Sequence, residues 1–159
     1  MNLVLVTSML ISVSVAEAQQ AIFLVRHAEQ SVETDDPELT EAGKQRAKRL
    51  ASLLKDAAIN VIYTTERKRA IQTAEPAEKL LNIARKQLAL RDLDGLVAQL
   101  RNQHTHDRVL VVSHHLALPR LIKALGHSAE VTIQLNEYDN LFVLIPNNEG
   151  SPMVLRLRY

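Results

Sequence analysis

The chain has 159 residues, a length that suits one domain, and its 47% hydrophobic and 23% charged residues describe a globular chain rather than a disordered one. The formal net charge of +1 argues neither for nor against nucleic acid as a partner. The absence of cysteine excludes disulfides, thiolate catalysis and Cys-based zinc or iron–sulfur centres.

The first stretch reads as an address. Leu3 to Ala16 is apolar or small and is followed by Ala16-Glu17-Ala18, a small-x-small cleavage pattern. The run is too short to span a bilayer comfortably. We expect residues 1–18 to be a signal peptide and the protein to be secreted or periplasmic, although no Lys or Arg precedes the apolar run. Residues 19–159 would then be the mature domain, with no membrane association.

Ala21-Ile22-Phe23-Leu24-Val25 is a short apolar run of the kind found in buried parallel strands, and it ends in Arg26-His27. Glu29 to Glu38, with Pro37, reads as a loop. Thr40 is a good N-cap for a helix whose buried stripe is Ala47, Leu50, Ala51 and Leu54. Lys44, Arg46, Lys48 and Arg49 are expected on its solvated face. A second strand is predicted over Ile59–Tyr63. Thr64 and Thr65 are expected to cap a helix over Glu66–Asn82, kinked or restarted at Pro76. A weak strand near Gln87–Leu90 and an amphipathic helix over Leu93–Leu100 follow. Val109–Val112 repeats the first figure and ends in Ser113-His114-His115. A helix from Leu116 stops at Gly126, and Leu141–Ile145 and Met153–Leu157 form a hairpin across a turn-rich link. The fold class is therefore α/β: a three-layer arrangement with a mainly parallel central sheet, helices on both faces and a C-terminal antiparallel hairpin.

Ligands of parallel sheets bind beyond the carboxyl ends of the strands. That edge is where Arg26, His27 and His114 fall, and Arg69 falls near a helix start that already favours anions. Two guanidinium groups and two imidazoles suit a phosphoryl dianion, since planar forked donors match phosphate oxygens. The four glycines form neither G-x-G-x-x-G nor a P-loop, and no G-x-S-x-G elbow is present. His104, His106, His115 and His127 match no common zinc spacing, so no metal or cofactor is expected, and His115 is placed beside the pocket rather than in it.

Leu24-Val25-Arg26-His27-Ala28-Glu29, Leu39-Thr40-Glu41-Ala42-Gly43, Tyr63-Thr64-Thr65 with Arg69-Ala70-x-Gln72-Thr73-Ala74, and Val111-Val112-Ser113-His114 together resemble, in order, the motifs of the histidine phosphatase superfamily, with its phosphoglycerate-mutase-like fold. Tyr138-Asp139-Asn140-Leu141-Phe142 is similar to small secreted members. The resemblance implies that His27 is a nucleophile forming a phosphohistidine, that Arg26 and Arg69 hold the phosphoryl oxygens, and that His114 binds the same group. Larger members carry a general-acid carboxylate in an insertion that is short here. Asp92 is the first candidate for that acid, then Asp94 and Glu29, with capping of the Leu93–Leu100 helix as the competing role for the aspartates.

The resemblance thus implies metal-independent hydrolysis of a phosphomonoester or phosphoramidate, on a phosphorylated small molecule or phosphoprotein. The alternative is a non-catalytic phosphate- or phosphoprotein-binding module of the same fold. Mutase activity is not expected, because insertions that would cover and reorient a substrate are lacking.

Overall fold

The computed structural model describes residues 20–32, 34–147 and 149–159, so the expected signal peptide lies outside the described residues. Six strands form one sheet in the order β3-β2-β4-β1-β5-β6. In chain order these are β1 (Ala21–Arg26), α1 (Glu41–Leu54), β2 (Val61–Thr65), α2 (Lys68–Leu81), β3 (Lys86–Leu88), α3 (Leu93–Asn102), β4 (Arg108–Ser113), α4 (Ala117–Ala124), β5 (Asn140–Ile145) and β6 (Met153–Arg158). β1, β2, β3 and β4 run parallel, while β5 is antiparallel to β1 and β6 to β5.

Strand side chains alternate between two apolar cores, one on each face of the sheet. Ile22, Leu24, Val109 and Val111 pack with Leu96 and Leu100 of α3 and with Leu118, Leu121 and Ile122 of α4. Val25, Leu110 and Val112 pack on the other face with Leu50 and Leu54 of α1 and with Ala70, Ala74 and Ala77 of α2. The three-layer α/β expectation is therefore observed. Because β1 and β4 are covered on both sides, their sequences are continuous apolar runs rather than alternating ones.

Thr40 caps α1, its Oγ1 accepting from the Gly43 N–H at 3.1 Å. The second strand lies later than expected. Thr64 and Thr65 belong to β2, where Thr64 pairs with Val112, and α2 starts after Arg67 with no side-chain cap. Threonine suits a cap and a pleated strand equally, and here the parallel ladders take both residues, Thr64 pairing with β4 and β3 and Thr65 with Leu88 of β3. α2 continues through Pro76 over its whole length instead of restarting there. Arg46 is not a solvated cation: its Nε donates to both Glu29 oxygens at 2.9 Å, and its Nη1 donates to the Tyr159 carbonyl at 2.8 Å.

The ladder register positions the site. Arg26 is the Cα partner of Ser113, so the residues that follow them, His27 and His114, leave the sheet side by side at its carboxyl edge. The His27 N–H extends the ladder by one rung, donating to the Ser113 carbonyl at 2.9 Å.

Candidate active site

The His27 and His114 rings have centroids 5.1 Å apart and planes tilted by 60°. Both residues are buried, with 3% and 8% of their surfaces exposed. His27 Nδ1 lies 2.8 Å from the Ala28 carbonyl oxygen. A carbonyl can only accept, so Nδ1 carries the proton and Nε2 keeps its lone pair. The loop bearing that carbonyl is itself fixed. The Ala28 N–H donates to Thr73 Oγ1 at 2.9 Å, and the Thr73 hydroxyl donates to the Arg69 carbonyl at 2.7 Å. His114 Nε2 is 2.9 Å from Thr65 Oγ1, so the threonine misread as a cap orients the second imidazole.

Burial pushes the His27 imidazole down to about 3, and the neighbouring His114, Arg69 and Arg26 add to that effect. Burial likewise lowers His114 to about 4, with Arg69 the next contributor. Both rings are therefore neutral near pH 7, the form in which an imidazole is a nucleophile or a single-proton donor.

Arg26 is buried at the end of β1. Its Nη1 donates to the Leu135 and Glu137 carbonyls at 2.7 and 3.0 Å, and its guanidinium carbon sits 3.8 Å from the Tyr138 ring centroid. Arg69, in the first turn of α2, faces Asp36 at 3.7 Å. The Nε atoms of both arginines are buried without a partner, which leaves each guanidinium with donor capacity. Arg26, His27, Arg69 and His114 line one cleft of about 760 Å³, as the sequence order of the motifs leads one to expect. A larger cleft of about 1000 Å³, by Leu100, His106 and Pro146, contains none of these four.

Asp92 is not brought to this cleft. Its Oδ1 accepts the Gly95 N–H at 3.0 Å and caps α3, although its neighbours Arg91 and Leu93 do line the cleft. Asp94 is exposed in the first turn of the same helix. Glu29 points into Arg46: burial alone would raise its carboxyl, but the Arg46 hydrogen bonds outweigh this and hold it below the usual range. Among the described residues no Asp or Glu lines the cleft. The acid expected at Asp92 is thus replaced by a helix cap, because a short Asp-x-x-Gly turn offers its carboxylate a backbone donor directly.

Other lining residues were not singled out as site members from sequence. His115 lines the cleft instead of standing beside it, and burial and Arg26 lower its imidazole below the ordinary value. Tyr138 packs 6.1 Å from the His27 ring. Arg91 and Arg120 complete the basic lining.

Residues 22–94 match the family model of the histidine phosphatase superfamily, branch 1, a span that includes Arg26, His27 and Arg69. The chain has the histidine phosphatase fold. Among solved structures of that fold, the protein histidine phosphatase SixA complexed with tungstate superposes with a TM-score of 0.71 at 20% identity, covering 87% of this chain and 96% of the other. A mycobacterial glucosyl-3-phosphoglycerate phosphatase gives a TM-score of 0.67 at 15% identity over 89% and 98% of the two chains. A phosphoserine phosphatase from Entamoeba histolytica, in complex with 3-phosphoglyceric acid, gives 0.65 at 17% identity over 88% and 97%. The comparison with curated proteins returns no match. The chain therefore matches each of these three folds almost end to end.

Proposed function

We propose that the protein is a phosphatase that works through a phosphohistidine on His27. The observation that carries this reading is the Nδ1–H···O=C bond to Ala28, which leaves a neutral Nε2 lone pair in the cleft that Arg26, Arg69 and His114 line. Nε2 attacks phosphorus, and the bond from phosphorus to the leaving oxygen or nitrogen breaks. Arg26 and Arg69 neutralise charge on the phosphoryl oxygens, with His114 as a further donor. Water then attacks the phosphohistidine, releasing phosphate and restoring the imidazole. The tungstate in SixA, a tetrahedral oxyanion bound on the same fold, supports an anion site of this kind.

Among the described residues, no carboxylate lines the cleft to protonate a leaving group. Substrates whose leaving group departs easily, such as aryl phosphates or a protonated phosphoramidate nitrogen, are therefore favoured. Whether the natural substrate is a small molecule or a phosphoprotein, the reacting group is the same. Charge neutralisation is assigned to the guanidinium groups, so turnover should persist in a chelator. Export through residues 1–18 belongs to the same proposal and rests on sequence alone; N-terminal sequencing of the protein recovered outside the cytoplasm should begin near Gln19, and recovery with Met1 intact would refute it.

The test is hydrolysis of a radiolabelled aryl phosphate in chelator, stopped in denaturing alkali. Wild type should retain base-stable, acid-labile label, and His27→Ala should retain none and lose at least about a thousandfold in turnover. Folded protein that binds phosphate but neither turns over nor labels would instead be a binding module.

A further inference from the structure

The two edges of the sheet are built differently. β3, at one end of the strand order, has 3 residues and exposes Lys86 and Gln87, the short and charged form that discourages further pairing. β6, at the other end, has 6 residues in unbroken register with β5 and contains neither a bulge nor a proline. Its Met153, Leu155 and Leu157 are 58%, 46% and 47% exposed. They stand opposite Ile145, Val143 and Leu141, so all three lie on the face of the sheet that carries α1 and α2, yet neither helix buries them. Arg156 and Arg158 do not guard this edge. They lie on the opposite face, where Glu137 and Asp139 hold them.

The backbone shows which groups are left over. The Tyr159 N–H donates to the Asp139 carbonyl at 3.1 Å, and these two residues continue the β5–β6 register. Hydrogen-bonded pairs alternate along an antiparallel ladder, so Leu157, Leu155 and Met153 also turn their backbone groups towards β5. Val154, Arg156 and Arg158 turn theirs outward, along an edge that no other described strand pairs.

We propose that β6 pairs antiparallel with β6 of a second copy of this chain, about a two-fold axis that passes through the sheet at Leu155. This register suits both the backbone and the side chains. The outward groups of Val154 meet those of the partner's Arg156, and each such pair exchanges two hydrogen bonds. Leu155 faces the partner's Leu155, and Met153 faces the partner's Leu157, which joins the two apolar stripes on one face. Centring the axis on Arg156 would set arginine against arginine. Centring it on Val154 would set Arg156 against the partner's Pro152, which has no N–H to give. A two-fold contact of this kind closes on itself, so it yields a dimer rather than a fibre. β5 stands between β6 and the strand that leads to His27, and the axis reverses strand direction. The two active-site clefts therefore open at opposite ends of the joined sheet. A contact of one strand and one apolar stripe is small, so the dimer should depend on concentration.

The test is sedimentation velocity of the protein expressed from its full sequence, from low micromolar to near-millimolar concentration. The mass should rise from one chain to two. Val154→Pro removes an outward N–H and leaves the bonds to β5 in place, a change an edge strand tolerates. Leu155→Lys sets two ammonium groups face to face. Both variants should unfold as cooperatively as wild type and stay monomeric throughout. The chain has no cysteine, so a single introduced thiol reports the register. Leu155→Cys should form a disulfide-linked dimer on mild oxidation, because directly opposed residues of a non-hydrogen-bonded pair have Cα atoms about 4.5 Å apart, within disulfide range. Leu157→Cys should not, since its own copy lies four residues further along, about 14 Å away. A wild type that is monomeric at every concentration overturns the proposal. So do growth beyond two chains, a dimer that persists in either variant, and equal cross-linking at the two positions. Flotation of a monomeric wild type with phosphatidylglycerol vesicles would give the apolar stripe to a membrane and overturn it as well.

Discussion

At the scale of single residues, the site divides into groups whose roles follow from geometry and one whose expected role does not. His27 needs no partner beyond its own loop, because the neighbouring carbonyl fixes its tautomer. Asp92 is the opposite case. As a cap of α3 it should contribute about 1 kcal/mol to stability and little to chemistry. Asp92→Ala is therefore expected to lower the melting temperature by about 3 °C and to change turnover of an aryl phosphate less than about threefold. A loss of about a hundredfold or more, the scale of general acid catalysis, would return the acid to Asp92. The sequence made the two strand-end histidines legible because an apolar run that stops at a polar residue marks a sheet edge. It did not separate cap from acid at Asp92, since a carboxylate before a helix satisfies both descriptions until its partner is seen.

At the scale of elements, the loop after His27 is pinned from two helices. Thr73 of α2 holds the Ala28 N–H, and α1 lies directly against Glu29. A Cβ added at Gly43 would sit 2.2 Å from the Glu29 carbonyl oxygen, with more backbone of the same residue at 3.1 Å. Backbone cannot swing aside as a side-chain tip can, so Gly43→Ala must push α1 and the loop apart. We expect a loss of about 1–3 kcal/mol in a denaturation series, accompanied by a fall in turnover. Full activity at reduced stability would show that the loop holds its place without α1. The close approach explains why glycine stands early in this helix, where its low helical propensity is otherwise a disadvantage. Most elements were readable from periodicity, α1 and the hairpin among them. β2 was misplaced towards its N-terminal side because Ile59 is apolar and buried yet precedes the strand, while Thr64 and Thr65 carry no apolar signal and lie within it.

At the scale of the whole molecule, two neutral buried histidines make the fold sensitive to mild acid. Their folded values, about 3 and about 4, lie below the ordinary value near 6.5. Between pH 6.5 and those values the unfolded chain binds more protons than the folded one, so stability falls as pH falls through that window. The pair should account for a loss on the order of a few kcal/mol, discounted because each ring's titration depends on the other. Denaturation midpoints measured from pH 7 to 4.5 should drop more steeply for wild type than for a His27→Asn, His114→Asn double variant; parallel curves would refute the assignment. The range stops above the titration of Glu29 and Asp107, whose carboxyls are held below their usual values and whose contributions are lost only at lower pH. The basic rim of the cleft belongs to this scale too. Arg91 and Arg120 are 29 positions apart in a chain rich in arginine, and only the packing of α3 and α4 on one face of the sheet makes them neighbours of one cleft.

The spacing of the two histidines has its origin in the backbone. They follow register partners on adjacent strands, and neighbouring strands stand about 4.8 Å apart whatever their side chains, close to the 5.1 Å between the rings. The gauge of the two imidazoles is thus the strand spacing that the sheet's hydrogen bonds set rather than a product of core packing. Drift among the valines and leucines beneath it can erode how tenaciously the protein holds together without first detuning its chemistry. On the proposed mechanism, such a scaffold leaves its rim free to be rewritten for new leaving groups while the step at phosphorus stays the same.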